Sequence, residues 1–394
     1  MTRSRVVIAG LGDSGLLTAI HLARHMDVVG ISAKPGLVSG QELGLRLTRP
    51  DVWARDYRIW FDRYRRLDRV RTVHGTLTGL DLTDRSVTVE DVTGTSSREP
   101  FDVLVISTGV SNGFWRQPTL QSVDEVDADL RAAHETFAAA DSVIVVGGGA
   151  AAVSGAASVA ATWPDKQVDL YFPGQRALPR HHGRVWSQVR HRLTDMGVVL
   201  HPEHRAVLPD GFAADKITHD PVHWSTGQPP ASADVVLWGI GRVRPNTAWL
   251  PPELLDDDGF VRVTPELRVP GHPGVFAIGD VAATDPLRTS ARNRADRILA
   301  RNIRAEARGR ELRSYRPPRR RWGSVLGPQH DGLLVFAPSG YAFRFPAWSV
   351  EPILRDLIVK RGIYRGVRSD SAAARRRARR VLSDSRPAPP GPDR

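Results

Sequence analysis

The chain has 394 residues, of which 41% are hydrophobic and 25% are charged, so it is long enough for two or three domains with full cores. It contains no cysteine, which excludes disulfides, iron–sulfur clusters, thiolate zinc sites and a redox-active cysteine pair. The net charge of +12 is concentrated at the C-terminal end, where residues 360–394 carry eleven Lys and Arg against three Asp, so the body of the protein needs no polyanionic partner.

A buried strand, a glycine-rich turn and a helix are predicted at the start of the chain. The apolar residues 6–9 lead into the turn of residues 10–15, and the helix is predicted over residues 16–26. In such a turn the first glycine permits the bend, the second lets a pyrophosphate approach the backbone, and the third lets the helix pack on the strand. The phosphates would lie at the helix N-terminus, where unpaired N–H groups favour negative charge. The predicted dinucleotide contacts are Gly10, Gly12, Asp13, Ser14 and Gly15.

The next strand is predicted over residues 27–32 and ends in Ser32. Domains of this kind commonly have an acidic residue there, which binds a ribose 2′-hydroxyl, whereas Ser32 offers only a neutral hydrogen bond. Lys34 follows and is either a contact to a phosphate or cofactor edge, or a solvated turn lysine. Residues 69–77 are predicted as one strand whose last residue, Leu77, is a further candidate cofactor contact.

A small antiparallel insert is then predicted, with a strand over residues 86–92 and a polar turn over residues 93–99. The buried strand of residues 101–109 follows and ends on Ser107-Thr108-Gly109. At such a strand end the backbone can meet a cofactor, so Thr108 and Gly109 are candidate binding residues.

A second strand, glycine turn and helix repeat the first pattern. A helix over residues 128–140 leads into a strand over residues 142–146, the turn Gly147-Gly148-Gly149 and a helix over residues 153–163. Two such turns in one chain predict two dinucleotides held face to face. The candidate contacts at the second turn are Gly147, Gly149, Ala150, Ala151 and Ala152.

The strand after the second turn is predicted over residues 168–172, and no acidic residue ends it. Arg176 follows shortly, and an arginine there can pair with the 2′-phosphate of NADPH. The sequence therefore favours NADPH over NADH, with a plain surface arginine as the alternative.

The rest of the body is predicted to contain a buried strand within residues 233–247 that ends in glycines, among them Gly241. A short strand over residues 260–263 and a strand within residues 273–282 follow. The latter runs into Gly279 and Asp280, whose carboxylate either accepts hydrogen bonds from sugar hydroxyls or caps a helix.

The C-terminal part begins after a helix over residues 292–306. Two or three antiparallel strands are predicted over residues 322–345, followed by a helix over residues 348–358. One apolar face is predicted for that helix, formed by Trp348, Ile353, Leu354, Leu357 and Ile358. Residues 369–394 are predicted to be disordered.

Together these motifs resemble the FAD-dependent pyridine nucleotide-disulfide oxidoreductase superfamily, in the branch without redox cysteines that includes type II NADH dehydrogenases and apoptosis-inducing-factor-like proteins. The resemblance covers about residues 3–312. It implies an α/β fold of two Rossmann-like dinucleotide-binding domains, the second inserted in the first, plus a small C-terminal α+β module. The implied boundaries are 1–121 and 250–312 for the FAD-binding domain, 122–249 for the NAD(P)H-binding domain, 313–368 for the C-terminal module and 369–394 for a basic tail.

The resemblance also implies roles for individual motifs. Gly10, Gly12 and Gly15 would hold the FAD pyrophosphate, and the Thr108-Gly109 turn would form the edge of the FAD domain. The second glycine turn would hold NAD(P)H. Gly241 would belong to a second crossing strand, and Gly279 with Asp280 would bind the ribityl–phosphate region of FAD.

The expected activity is hydride transfer from NAD(P)H to FAD, followed by electron transfer to an unidentified small-molecule or quinone acceptor. The cofactors supply this chemistry, so no catalytic side chain and no metal site are predicted. With no signal peptide and no apolar run of roughly 20 residues, a cytoplasmic location is expected.

Two alternatives concern the C-terminal end. In the first, the amphipathic segment and basic tail place the protein on anionic lipid as a peripheral quinone reductase, against the simpler interpretation of a helix packed on the body. In the second, the arginines of residues 375–380 contact nucleic acid. Nucleic acid is the less favoured partner because the body carries no basic surface, and the oligomeric state is left open.

Overall fold

The computed structural model describes residues 3–241, 243–288 and 293–373. Residues 374–394, and with them the arginines on which the nucleic-acid alternative depends, lie outside the described residues. The first part of the chain contains β1 (Arg5–Ala9), α1 (Asp13–Leu22), β2 (Asp27–Ser32), β3 (Gly36–Val38), α2 (Leu43–Thr48), α3 (Pro50–Tyr57), β4 (Arg58–Trp60), β5 (Val70–His74), β6 (Thr76–Asp81), β7 (Ser86–Glu90), β8 (Ser96–Pro100), β9 (Val103–Ile106) and β10 (Val110–Ser111).

The middle and last parts add the remaining elements. The middle part contains α4 (Val123–Ala139), β11 (Ser142–Val146), α5 (Ala150–Thr162), β12 (Gln167–Tyr171), α6 (Gly183–Asp195), β13 (Val199–His201), β14 (Val235–Trp238) and β15 (Arg244–Pro245). The last part contains β16 (Val275–Ala277), α7 (Ala295–Glu306), β17 (Pro328–Gln329), β18 (Gly332–Phe336), β19 (Ala342–Pro346), α8 (Ala347–Ser349) and a C-terminal helix (Val350–Ile363).

Two parallel sheets form the body of the molecule. The first has the strand order β16-β9-β1-β2-β5, and the second has the order β13-β12-β11-β14. All strands of the second sheet lie between β9 and β16 along the chain, so the second Rossmann-like domain is inserted in the first, and the predicted fold class is confirmed. In each sheet the glycine turn follows a central strand, β1 or β11, at its carboxyl end.

Both nucleotide helices begin earlier than predicted. Helix α1 starts at Asp13 and ends at Leu22, not at residues 16 and 26, and α5 starts at Ala150 rather than at residue 153. The difference arises because Gly12 and Gly149 are the N-cap residues, so the glycine-rich turn already contains the start of each helix.

Helix α4 also begins earlier, at Val123 instead of residue 128. Ser122 and Glu125 form a capping box: the Ser122 hydroxyl accepts from the Glu125 N–H, and the Glu125 carboxylate accepts from the Ser122 N–H at 2.7 Å. The Ser-x-x-Glu spacing that signals this start is visible in the sequence.

The predicted single strand of residues 69–77 is wrong. The structure breaks it at Gly75 into β5, which pairs with β2 in the parallel sheet, and β6, which pairs with β7 in a separate antiparallel sheet. Strand β8 occupies most of the predicted polar turn of residues 93–99 and completes the antiparallel sheet. Residues 260–263 form no strand: Val261 makes only isolated bridges to Leu255 and Ala282.

Helices α2 and α3 carry no sequence prediction, although they join the two domains. Leu43 and Leu47 of α2 are buried in the core of the second domain, beside α5 residues such as Val153 and Ala156. Helix α2 therefore belongs to the first domain in sequence and to the second domain in packing.

The C-terminal module contains the predicted antiparallel strands, in the order β17-β18-β19. The apolar side chains predicted for one face of the following helix do not form a buried face, since Trp348 is 72% exposed and Leu357 is 53% exposed. The inward side chains of the C-terminal helix are Val350 and Arg355, five residues apart. This spacing suits the i→i+5 hydrogen bonding of the helix, whereas the prediction assumed the tighter α-helical turn.

Charged contacts connect the module to both domains. Asp331 pairs with Arg192 of α6 at 2.8 Å, and Arg355 pairs with Asp56 of α3. Within the described ranges, no helix combines the length and the apolar character needed to cross a bilayer.

Candidate functional site

The first glycine turn has the geometry of a phosphate cradle. Gly10 has φ +101°, and a Cβ there would lie 2.6 Å from the Ser107 carbonyl oxygen. A Cβ on Gly15 would lie 2.0 Å from the carbonyl oxygen of Gly10, so α1 packs directly on the turn. At Gly12, by contrast, a Cβ would meet nothing within 4 Å. The outer side of the turn therefore leaves room at Gly12 for a group to approach the backbone and the start of α1.

The second turn repeats this geometry residue by residue. Gly147 has φ +139°, and its Cβ would lie 2.2 Å from the Gly239 carbonyl oxygen. Ala152 packs against Gly239, whose own Cβ would lie 2.8 Å from that of Ala152. Gly149, like Gly12, has open space where a Cβ would stand. Both turns thus fit a dinucleotide pyrophosphate at the N-terminus of the helix that follows.

One cleft of about 860 Å³ connects the first turn with the second domain and the C-terminal module. Most of the predicted site residues line it, and they are Gly10, Gly12, Asp13, Ser14, Ser32, Lys34, Leu77, Thr108, Gly109, Ala150, Ala151, Gly279 and Asp280. Gly15, Gly147 and Ala152 lie under the turns rather than in the cleft. Their function is in the packing that shapes each turn.

Ser32, Lys34 and Leu77 line the cleft near the ends of β2 and β5. The Lys34 ammonium is not a solvated turn group: it donates to the Thr119 carbonyl at 2.8 Å and to the side chain of Gln121 at 2.6 Å. Burial, with a smaller effect from Arg46, lowers the pKa of Lys34 to about 8. The Ser32 hydroxyl accepts from the Lys34 N–H at 3.2 Å, which orients this corner of the cleft.

The chain passes between the two domains in two segments, and these segments are hydrogen-bonded to each other beside the cleft. The Thr108 hydroxyl donates to the Asn246 carbonyl at 2.8 Å, and the Asn246 amide donates to the Thr108 carbonyl at 3.0 Å. Ser111 donates to the Asn246 side chain at 2.7 Å, and β10 pairs with β15. This reciprocal contact fixes how the two cradles face each other.

Asp280 lies in a single helical turn directly after β16 and lines the cleft. It does not cap that turn, whose N-cap is Ile278, so the capping alternative is wrong. Its carboxylate pairs with Arg116 at 2.9 Å, and its carbonyl accepts from Arg288 at 2.8 Å.

Several cleft residues carry no functional prediction from the sequence. They are Arg116, His181, Arg288, Arg321 and Trp322. Among them, His181 is only 7% exposed. The local sequence gives no signal for these residues, since four separate segments bring them together.

Three further candidates, Gly149 of the second turn, Arg176 and Gly241, lie away from the cleft lining. Arg176 is exposed on the loop after β12, and Gly241 is exposed with φ +72°. Arg242, the neighbour of Gly241, lies outside the described residues.

Comparisons with known proteins agree with this geometry. The family model described as pyridine nucleotide-disulphide oxidoreductase matches residues 4–303, so the chain belongs to this family. Oxidoreductase ptaL of Pestalotiopsis fici is 27% identical over 342 residues, covering 84% of this chain and 85% of that protein. An NADH dehydrogenase-like protein of Mycobacterium tuberculosis is 28% identical over 307 residues, covering 71% and 73%. The structure of a water-forming NADH oxidase from Lactobacillus brevis bound to NADH superposes with a TM-score of 0.57 at 19% identity, over 76% of this chain and 69% of that one.

Family and geometry together establish the general activity. The chain is an FAD-dependent NAD(P)H oxidoreductase with two nucleotide cradles of the same design.

Proposed function

We propose that this member of the pyridine nucleotide-disulphide oxidoreductase family uses NADPH to reduce its FAD and passes the electrons to a small quinone-type acceptor. The observation that carries this proposal is the shared cleft. It is lined by the first turn, by Ala150 and Ala151 at the start of the second nucleotide helix, and by residues of the C-terminal module. A flavin, a nicotinamide and an acceptor can therefore meet in one cleft.

The bound cofactors supply hydride transfer, and the chain supplies position. Gly12 and the N-terminus of α1 would hold one pyrophosphate, while Gly149 and the N-terminus of α5 would hold the other. The Thr108–Asn246 contact sets the mutual orientation of the cradles. Buried apolar residues, among them Trp115, form part of the cleft wall.

The preference for NADPH rests on Arg176. Its exposed guanidinium lies on the loop after β12, where the adenosine ribose of a nucleotide bound at the second turn would end. We expect Arg176→Ala to lower kcat/KM for NADPH about tenfold, because a charge-assisted contact to the 2′-phosphate is lost, and to leave NADH unaffected. Equal losses with both coenzymes would contradict this assignment.

The proposed function is tested with the purified full-length protein. We expect a yellow preparation with a flavin spectrum that NADPH bleaches under anaerobic conditions in a stopped-flow instrument. Mixing the reduced protein with quinones should restore the oxidised spectrum faster than oxygen does. A colourless protein that takes up no FAD would overturn the proposal, and a flavin that only oxygen reoxidises would remove the quinone acceptor.

A second candidate function is the same reaction at a membrane surface with a lipid-soluble quinone. It is supported by the exposed apolar side chains Phe343, Trp348 and Leu357 on the module, next to basic residues such as Arg361. Co-sedimentation with anionic liposomes should recover the full chain but less of a chain cut before Ser369. Equal amounts of both chains in the supernatant would count against it.

A further inference from the structure

We propose that the acceptor is a planar organic anion, such as a quinone with an ionised hydroxyl, carboxylate or sulfonate group, and that Arg288 and Arg321 bind its negative group. This inference rests on the proposed function and names its substrate class. Both guanidinium-bearing residues line the cleft together with Trp322, which follows Arg321 in the chain.

Arg288 is paired with no carboxylate in the part of the chain that the structure describes. Among the described residues it forms no ion pair; it donates to the Asp280 carbonyl at 2.8 Å and lies 4.1 Å from the ring centre of Phe260. The Asp280 carboxylate is paired with Arg116 instead, at 2.9 Å. Arg288 also has φ +52°, so the surrounding loop holds it in a backbone conformation that a non-glycine residue rarely adopts.

Arg321 is fixed to the same loop. Its Nε donates to the carbonyl of Leu287, the residue before Arg288, at 2.9 Å. Its backbone N–H donates to the Arg180 carbonyl at 3.1 Å, and Arg180 donates to Pro286 at 2.8 Å. Two arginines, Arg180 and Arg321, therefore bond to the loop that carries Arg288.

The electrostatics of this loop favour an anion. Burial is the largest effect and lowers the pKa of Arg288, while the Asp280 carboxylate opposes it; Arg180 and Arg116 lower the pKa further, and Asp285 raises it by a smaller amount. The charged form of Arg288 would thus be stabilised by a negative ligand group, which lowers the local positive potential.

The neighbouring surfaces suit a flat ring. The Trp322 indole donates to the Asn293 side chain at 2.9 Å, which fixes the plane of the ring. Trp115 and Val325 also line the cleft and are buried. An aromatic acceptor can stack on such surfaces while its charged group lies at the guanidinium groups.

The overall reaction balances as NADPH + H⁺ + quinone → NADP⁺ + hydroquinone. Two electrons and two protons reach the quinone oxygens, and the anionic substituent takes no part. Its contacts with Arg288 and Arg321 therefore position the ring before and after reduction.

Binding is measured by calorimetry on the FAD-loaded protein with naphthalene-2-sulfonate, which accepts no electrons, and with its neutral counterpart naphthalene-2-methanol. We expect the sulfonate to bind at least about tenfold more tightly, as a charge-assisted contact implies. Arg321→Gln and Arg288→Gln should each weaken sulfonate binding about tenfold and leave the neutral ligand unchanged. Arg321→Lys should restore part of the affinity, while Arg131→Gln, an exposed arginine of α4, should change neither ligand.

The same variants are then mixed with NADPH under anaerobic conditions. Normal flavin reduction in Arg321→Gln together with weaker sulfonate binding supports the proposal. Equal binding of the two ligands by the unaltered protein overturns the proposal. A variant that raises the KM for NADPH while sulfonate binding is unchanged also overturns it, because the arginines would then bind the coenzyme and not the acceptor. If NADPH fails to reduce the flavin of the unaltered protein, the proposed function fails instead, independently of the ligand affinities.

Discussion

Gly12 and Gly149 differ from their neighbours because they shape the cofactor cradles without contributing to the packing of the turns. A side chain at Gly10 or Gly147 would collide with backbone at 2.6 Å or 2.2 Å, whereas one at Gly12 or Gly149 would enter only open space. A substitution at Gly12 or Gly149 can therefore change nucleotide binding without changing the stability of the fold.

The first prediction uses this contrast. We expect Gly12→Ala to fold with the free energy of unfolding of the unaltered protein, within about 0.5 kcal/mol, and to lose FAD affinity about tenfold, because the added methyl group occupies the position of the pyrophosphate. Gly149→Ala should keep FAD and raise the KM for the nicotinamide coenzyme instead. FAD titration and steady-state kinetics measure the two effects.

Gly10→Ala and Gly147→Ala are the controls, and both should lower the free energy of unfolding. A normal FAD affinity in Gly12→Ala would contradict the assignment of the first cradle.

The second prediction concerns Lys34, whose pKa is lowered to about 8 by burial and by Arg46. In the unfolded chain a lysine titrates near 10.4, so between about pH 8 and pH 10 only the unfolded state keeps this proton. The stability of the unaltered protein should therefore rise across this range relative to Lys34→Met. Urea unfolding from pH 7.5 to pH 10 measures the difference. Lys216→Met, at an exposed lysine, should follow the unaltered protein. Parallel curves for Lys34→Met and the unaltered protein would disprove the effect.

At the scale of elements, the contact between α2 and α5 connects the two domains. A Cβ on Gly44 of α2 would lie 2.2 Å from the Ser154 carbonyl oxygen and 2.3 Å from the Ser158 hydroxyl. The two helices therefore approach so closely that only glycine fits. Since α5 carries the second cradle, this contact also sets the distance between the cradles.

The third prediction follows from that contact. Gly44→Val should lower the free energy of unfolding by about 1–3 kcal/mol, because the side chain overpacks the interface. It should also slow anaerobic flavin reduction by NADPH, because α5 is displaced from the first domain. Gly79→Ala in β6 is the matched control, since its nearest contact would be an ordinary 3.6 Å. A Gly44→Val variant with unchanged reduction rate would show that α2 does not set the alignment.

At the scale of the whole molecule, the C-terminal module is attached to the body by charge as well as by apolar packing. Arg355 is 7% exposed and Asp56 is 9% exposed, and Lys360 lies 3.4 Å from the same carboxylate. Burial lowers the pKa of Arg355 to about 10, which reflects how little water reaches this pair. Removing one partner of such a buried ion pair leaves the other charge unpaired, and this lowers the stability of the protein strongly.

The fourth prediction tests this attachment. Asp56→Asn should lower the free energy of unfolding by about 3 kcal/mol, because Arg355 then keeps only the longer contact to Glu351. Adding Arg355→Met to that variant should recover much of the loss, since the unpaired charge is gone. Urea unfolding of the four proteins of this cycle measures the coupling. The exposed pair of Arg98 and Asp81 is the control, and Arg98→Gln should cost less than about 1 kcal/mol. Additive effects of the two substitutions would refute a coupled pair.

The sequence predicts the elements whose pattern is local. Strands β1, β2 and β11 follow from short apolar runs, and both cradles follow from glycine spacing, because a tight turn beside a phosphate admits almost no other residue. The break at Gly75 and the face of the C-terminal helix could not be predicted, because strand partners and helix pitch depend on contacts distant in sequence.

The amino-acid sequence alone thus determined the family, the two-domain α/β fold and the glycine-turn residues that line the cleft. Only the tertiary structure decided that Arg116 and Arg288 both contact Asp280, that Arg321 contacts Leu287 beside Arg288, and that α2 joins the second domain. The physical reason is that a glycine turn needs particular residues at adjacent positions, whereas a charged cleft needs only that separate segments meet in space.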